Sequence, residues 1–124
     1  MISAALAYVA AALTALWGAA HAVPTLHVLS GFEPITADNR RVLLQEWLAE
    51  AFTMWGAAAL VITMTVVASG SLVTHWSYRV VACLLLTLGA LTALTGARTE
   101  VLWFKVCPVL LGVVAALLLA ASFV

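Results

Sequence analysis

The stretch Asp38–Glu50, DNRRVLLQEWLAE, is the most polar part of the chain and leads directly into a long apolar run. It reads as the beginning of a helix, because Asp38 or Thr36 can cap the first amides and neither Gly nor Pro follows until Gly56. On that helix Glu46 and Glu50 lie one turn apart, so both carboxylates point to the same side. The next eighteen residues, Ala51–Ala68, carry no charge. The sequence therefore predicts a pair of acids where a membrane helix meets the membrane interface.

The composition of the chain indicates a membrane protein. Of the 124 residues, 66% are hydrophobic and 8% are charged, and the mean hydropathy is +1.19. Soluble domains average about 25% charged residues. A soluble fold of this size cannot bury so much apolar surface, so we expect the bilayer to be the solvent. The formal net charge of zero gives no electrostatic basis for binding nucleic acid, and we exclude that class of partner.

Apolar runs of about 20 residues predict four membrane helices. The sequence thus predicts an all-α fold, an integral membrane four-helix bundle of up-down-up-down topology that forms one transmembrane domain over residues 1–124. We expect the spans at residues 2–21, 39–68, 76–97 and 101–124, with a loop over residues 22–38.

The ends of these spans carry further signals. Either Thr36 or Asp38 can cap the second helix. The triplet Ala20-His21-Ala22 resembles a signal-peptide cleavage site, but no Lys or Arg precedes it, so we interpret the first run as a membrane helix. Pro108 removes one helical hydrogen bond and is expected to bend the fourth helix near its polar end.

Charge is concentrated at one end of the predicted bundle. The loop 22–38 and the turn at 97–100 share this polar end, whereas both termini and the turn at 69–75 share the opposite, terminal end. Four of the five basic residues lie at the polar end, so the positive-inside rule favours a cytoplasmic polar end and outside termini, with the chain in the inner (plasma) membrane. Nine of the ten charged residues belong to the polar end: Glu33, Asp38, Arg40, Arg41, Glu46, Glu50, Arg98, Glu100 and Lys105.

Two of these charges lie beside or inside apolar runs, namely Glu50 and Lys105. A charge at bilayer depth costs about 2.5–3.5 kcal/mol on insertion scales, so such groups usually pair or line water. Ion pairs between Glu50 and Lys105, and between Glu46 and Arg98, would meet this requirement. A polar cavity at this end of the bundle is the other solution.

His21, Glu46 and Glu50 are the candidate catalytic residues. His21 ends the first apolar run at the depth of Glu50, and a loop of fewer than twenty residues brings their spans together. Two close carboxylates cannot both ionise cheaply, and a neutral acid beside an imidazole suits general acid–base work on a lipid-soluble substrate. The candidate binding residues are aromatic walls and groups that balance charge: Trp17, His27, Arg41, Trp47, Trp55, Arg98, Trp103 and Lys105.

Several functions fit this pattern. The leading interpretation is acid–base chemistry on, or binding of, a small hydrophobic or lipidic molecule. Carboxylates among tryptophans also suit a carrier or binder of cationic molecules. A non-catalytic subunit is the third alternative, with the charges closing one end of the bundle or docking a partner. The expected partners are thus membrane lipids and a hydrophobic ligand, with a second copy or another membrane protein as alternatives.

Other chemistries receive little support from the sequence. There is no GxSxG motif and no Gly-rich phosphate loop. The Glu-x-x-His spacing of di-iron bundles is absent, so we expect neither a metal nor another cofactor. Cys83 and Cys107 fall in different spans without a CxxC partner, which favours free thiols.

The segment GFEPITADNRRVLLQEWLAE (Gly31–Glu50), together with WGAAHAVPT (Trp17–Thr25), resembles a pattern found in small four-helix membrane proteins of bacteria. In size and layout the chain is also similar to DoxX-like proteins and to the EXPERA group of sterol-isomerase-like proteins. In EXPERA-type isomerases, acidic and histidine side chains inside a helical bundle move protons on a sterol. The resemblance implies that His21, Glu46 and Glu50 would play that part here.

Overall fold

The computed structural model describes all 124 residues, which form helices joined by short turns and no strands. This confirms the predicted all-α class. A 3₁₀ turn, Gly96–Arg98, precedes the last helix. The α-helices are α1 (Ile2–Ala22), α2 (Thr25–Ser30), α3 (Ala37–Val67), α4 (Leu72–Leu94) and α5 (Leu102–Ala121). Helices α1, α3, α4 and α5 are long and apolar enough to cross a membrane, as in a multi-pass integral membrane protein.

Side-chain caps determine where α3 and α4 begin. The Thr36 hydroxyl accepts a hydrogen bond from the Asn39 amide at 3.2 Å, so Thr36 rather than Asp38 caps α3. The Ser71 hydroxyl accepts from the Thr74 amide at 3.2 Å and caps α4. Because of this cap, α4 begins at Leu72 and not at the predicted position 76. The aromatic and basic residues near its start, His75, Trp76, Tyr78 and Arg79, therefore lie inside the first two turns of α4.

Helix α5 runs from residue 102 to 121 without interruption at Pro108. It ends three residues earlier than the predicted position 124. Pro108 lies where α5 approaches α4, and a Cβ built on Gly89 would be 3.6 Å from the Pro108 Cα. Even a Cβ at position 89 would make only ordinary van der Waals contact, so α4 and α5 pack closely here, as is typical of helices in lipid.

The buried core occupies the terminal end and the middle of the bundle. Helix α1 packs on α3 and α5, and α5 packs on α4, whereas α3 and α4 contact each other much less than these pairs do. Small side chains such as Ala7, Ala10 and Ala11 are completely or almost completely buried at these contacts. Dispersion contacts between such small residues drive helix association where lipid surrounds the protein.

Hydrogen bonds join α3 to α4 at the terminal end only. The Tyr78 and Thr65 hydroxyls lie 2.6 Å apart in the core. The Thr74 hydroxyl donates to the carbonyls of Met64 and Ala68, at 3.2 and 2.7 Å. No hydrogen bond or ion pair joins the two helices nearer the polar end, where a cleft lies between them.

Candidate functional site

A half-open cleft of about 1070 Å³ occupies the polar end of the bundle. All five helices contribute to its walls, and most of the lining is apolar. Small-molecule sites usually measure about 300–1,000 Å³ and combine apolar walls with a few polar groups. The predicted site residues that line the cleft are Trp17, His21, His27, Glu46, Trp47, Glu50 and Trp103.

His21 and Glu50 form the polar centre of this cleft. The His21 Nε2 atom lies 3.5 Å from Glu50 Oε2, with 9% of the His21 side chain and 29% of the Glu50 side chain exposed. The His21 ring stacks on the Trp47 indole with the ring centroids 3.9 Å apart. The Trp47 Nε1–H also donates to the His21 carbonyl at 2.9 Å. Trp47 therefore holds both the backbone and the ring of His21 in place beside the carboxylate.

Two buried nitrogen atoms in the cleft lack a hydrogen-bond partner, Trp17 Nε1 and His21 Nε2. The contact between His21 and Glu50 is close enough for charge attraction, but its geometry is not that of a hydrogen bond. Buried polar groups are normally hydrogen-bonded, and leaving one without a partner costs about 1–3 kcal/mol. The cleft thus presents two polar atoms that a bound molecule or water would satisfy.

The remaining predicted acid–base residues lie toward the opening. Glu46 is exposed at the cleft and forms no ion pair. His27, on α2, is also exposed. The structure therefore brings His21 and Glu50 together, while Glu46 remains one helical turn away at the rim.

The two predicted ion pairs that would have closed this end do not form. Lys105 contacts Glu100 at 3.9 Å and not Glu50. Arg98 is exposed and has no carboxylate within ion-pair distance, so it does not pair with Glu46. The physical reason is local: Arg98 lies in the short turn before α5 and Lys105 in the first turn of α5, where exposed side chains reach water or a nearby acid.

Two further predicted binding residues lie outside the cleft. Arg41 is exposed on the first turn of α3, where it bonds to Asp38 at 3.0 Å. Trp55 lies against α1, donates to the Ala15 carbonyl at 3.1 Å and covers Gly18. Trp55 is thus part of the helix–helix contact, since its position on α3 directs it toward α1.

The cleft also has lining residues that were not predicted from the sequence. On α4, Leu88, Leu91, Thr92 and Thr95 all line the cleft. Their spacing places them on one face of the helix, and this periodicity is the signal that could have identified them. Cys107 is buried with its Sγ atom 3.9 Å from Thr92 Oγ1, while Cys83 is exposed on the outer surface. Both thiols are free.

The chemistry available in the cleft is proton transfer. The His21 imidazole can exchange a proton with a bound molecule through Nε2, and the Glu50 carboxylate would stabilise the imidazolium form. No three His, Cys, Asp or Glu residues lie close enough together to hold a metal ion. Comparisons of the chain with protein-family models, with curated proteins and with solved structures find no match.

Proposed function

We propose that this integral membrane protein binds a small hydrophobic molecule in the cleft at its polar end and exchanges a proton with it through His21. The observation that supports this proposal best is a buried imidazole whose Nε2 has no hydrogen-bond partner, at the wall of a large and mostly apolar cleft. A residue with only a packing role would not require a titratable nitrogen there. The isomerase-type reaction implied by the EXPERA resemblance remains a prediction.

Glu50 and Trp47 would position His21 for this role. Glu50 lies 3.5 Å from Nε2 and favours the protonated ring, while Trp47 fixes the plane of the ring. A general acid or base must be held within reach of the proton that it moves. The arrangement therefore supplies a fixed acid–base group in a site that apolar side chains shield from bulk water.

A second candidate is the binding or transport of a lipophilic cation. It is favoured by Glu46, which lies at the rim of the cleft without a basic partner, and by the exposed indole of Trp103. Carboxylates and aromatic faces both attract quaternary ammonium groups. The third candidate is a structural subunit, for which we expect a closed bundle end with paired glutamates. The cleft at this end and the absence of those ion pairs favour this candidate less.

Binding is tested by purifying the protein in mild detergent and analysing co-purified molecules by mass spectrometry. We expect one class of hydrophobic molecule to be enriched over bulk lipid on the wild-type protein. His21→Phe keeps an aromatic ring against Trp47 but removes the nitrogen, and it should reduce the enrichment. Glu100→Gln is the control, because Glu100 is exposed and contacts only Lys105. Co-purified lipid that matches the bulk membrane in all three proteins would contradict the proposal.

Proton exchange is tested separately in deuterated water. The enriched molecule is incubated with wild-type protein, and we expect deuterium to appear at one carbon position faster than in buffer. His21→Phe and Glu50→Gln should abolish this acceleration while the helical content of the protein is unchanged. Enrichment without any accelerated exchange would show a binding protein and remove the catalytic part of the proposal.

A further inference from the structure

We infer, on the basis of the proposed binding function, that the ligand is a neutral amphiphile with a carbonyl or hydroxyl oxygen. This ligand would enter the cleft from the bilayer, between α3 and α4. The oxygen would be bonded by Trp17 Nε1 and His21 Nε2, and the apolar part of the molecule would extend along the cleft toward the gap between the two helices.

The first reason is the donor character of Trp17. An indole N–H can only donate a hydrogen bond, so its partner must be an acceptor. Trp17 and His21 are four residues apart on α1, which places their side chains side by side, about 5–6 Å apart at Cβ. One oxygen atom, or two on adjacent carbons, can therefore satisfy both buried nitrogens. A quaternary ammonium ligand offers no acceptor and would leave Trp17 Nε1 without a partner.

The second reason is the charge of the lining. The cleft contains Glu46 and Glu50 and no Lys or Arg. A carboxylate or phosphate head group would face two acids, with only the imidazoles of His21 and His27 to compensate. Anionic ligands are therefore disfavoured by repulsion from the two carboxylates. Quaternary ammonium ligands are disfavoured because they leave the Trp17 N–H group without an acceptor. A neutral oxygen remains the chemistry that fits all the polar atoms of the site.

The third reason is the position of the opening. Helices α3 and α4 are bonded to each other only at the terminal end, through residues such as Thr65, Thr74 and Tyr78. Nearer the polar end, exposed lining residues lie on both helices, Thr53 on α3 and Leu91 on α4. Both residues belong to apolar membrane spans. An opening at this level faces lipid, so a ligand from the bilayer can enter sideways without crossing the polar loop.

The experiment compares three photoreactive probes with the same alkyl chain, each carrying a diazirine at mid-chain. One ends in a methyl ketone, one in a quaternary ammonium group, and one is a plain alkane. The full-length protein is reconstituted in phosphatidylcholine vesicles, and labelled residues are identified by mass spectrometry. We expect the ketone to label the cleft at the lowest concentration. Labelling at Thr53 and Leu91 would show that the alkyl chain leaves sideways. Labelling at Val28 of α2 and at Phe32 just after it would contradict the lateral route.

Trp17→Phe removes the N–H group and keeps an aromatic ring. We expect it to weaken labelling by the ketone about 3- to 10-fold, the usual effect of one hydrogen bond, and to leave labelling by the alkane unchanged. Trp55→Phe is the matched control, because the Trp55 N–H is already bonded to Ala15 and lies outside the cleft. The comparison of the three probes on wild-type protein remains decisive if Trp17→Phe does not fold.

Each other outcome has a distinct meaning. Equal labelling by ketone and alkane would overturn the head-group inference and leave hydrophobic binding intact. Preferred labelling by the ammonium probe, lost in Glu46→Gln and Glu50→Gln, would overturn it in favour of cation binding. If no probe labels the cleft, both the inference and the proposed binding function fail.

Discussion

At the scale of single residues, neighbouring contacts decide what each tryptophan does. The indole N–H groups of Trp47 and Trp55 both donate to carbonyls of α1 and so join α1 to α3. Trp17 lines the cleft, and its N–H group has no hydrogen-bond partner. Three residues of one type thus have different roles, and of these only Trp17 has an N–H group left to bond a ligand.

Gly18 is the residue at which the α1–α3 contact is tightest. A Cβ on Gly18 would lie 2.8 Å from Trp55 Nε1 and 3.2 Å from the Ala51 carbonyl oxygen. We therefore expect Gly18→Ala to lower the free energy of unfolding in detergent by about 1–3 kcal/mol, since the larger side chain forces Trp55 to move. Gly112→Ala is the control: nothing lies within 4 Å of its added Cβ, so stability should be unchanged or higher. Equal effects of the two substitutions would contradict this account.

At the scale of helices, the length of α3 determines the shape of the polar end. Its 31 residues extend about 46 Å, whereas the hydrocarbon core is about 30 Å thick. Its first turns therefore project beyond the hydrocarbon, where Arg40 pairs with Glu33 of the preceding loop at 3.5 Å. The projecting turns carry the charged residues Asp38, Arg40 and Arg41, while Glu50 lies farther along the helix beside His21.

The joint between α3 and α4 depends on Thr74. Its hydroxyl bonds to the carbonyls of Met64 and Ala68 and contacts the capping hydroxyl of Ser71 at 3.0 Å. We expect Thr74→Val to lower the free energy of unfolding by about 0.5–2 kcal/mol, because the buried carbonyls lose their link to α4. Thr87→Val is the matched control, because it removes an exposed hydroxyl that is bonded only within α4. We expect it to lower the free energy of unfolding by no more than about 0.5 kcal/mol. Chemical unfolding in detergent measures the stability of both variants. Equal losses of stability would contradict the role of Thr74 in joining α3 to α4.

At the scale of the whole molecule, packing and the candidate site occupy opposite ends. The buried cluster lies toward the terminal end and the middle, where Arg79 also bonds to Ser122 near the C-terminus. The polar end has fewer helix–helix bonds and contains the cleft. Substitutions in the cleft should therefore change ligand binding with little effect on folding, which makes the variants at His21 and Trp17 informative.

The orientation of the bundle can be measured with single cysteines in a Cys83→Ala/Cys107→Ala background. Arg41→Cys reports the polar end and Ser69→Cys the terminal end, and both positions are exposed. With a membrane-impermeant maleimide, we expect Ser69→Cys to react in intact cells and Arg41→Cys only in inverted vesicles, because basic residues concentrate at the cytoplasmic end. Reversed labelling would reverse the orientation. Reaction of both sites from the same side would contradict the assignment of α3 as a membrane span.

The sequence by itself determined the all-α membrane fold, the four spans and the polar end, because hydropathy and charge depend only on the order of residues. It also indicated His21 and Glu50, since both end apolar runs at matching depth. Only the tertiary structure decided that Lys105 turns to Glu100, that Trp55 packs on α1, and that one face of α4 completes the cleft. These features depend on the rotation of each helix about its axis, which packing between helices fixes.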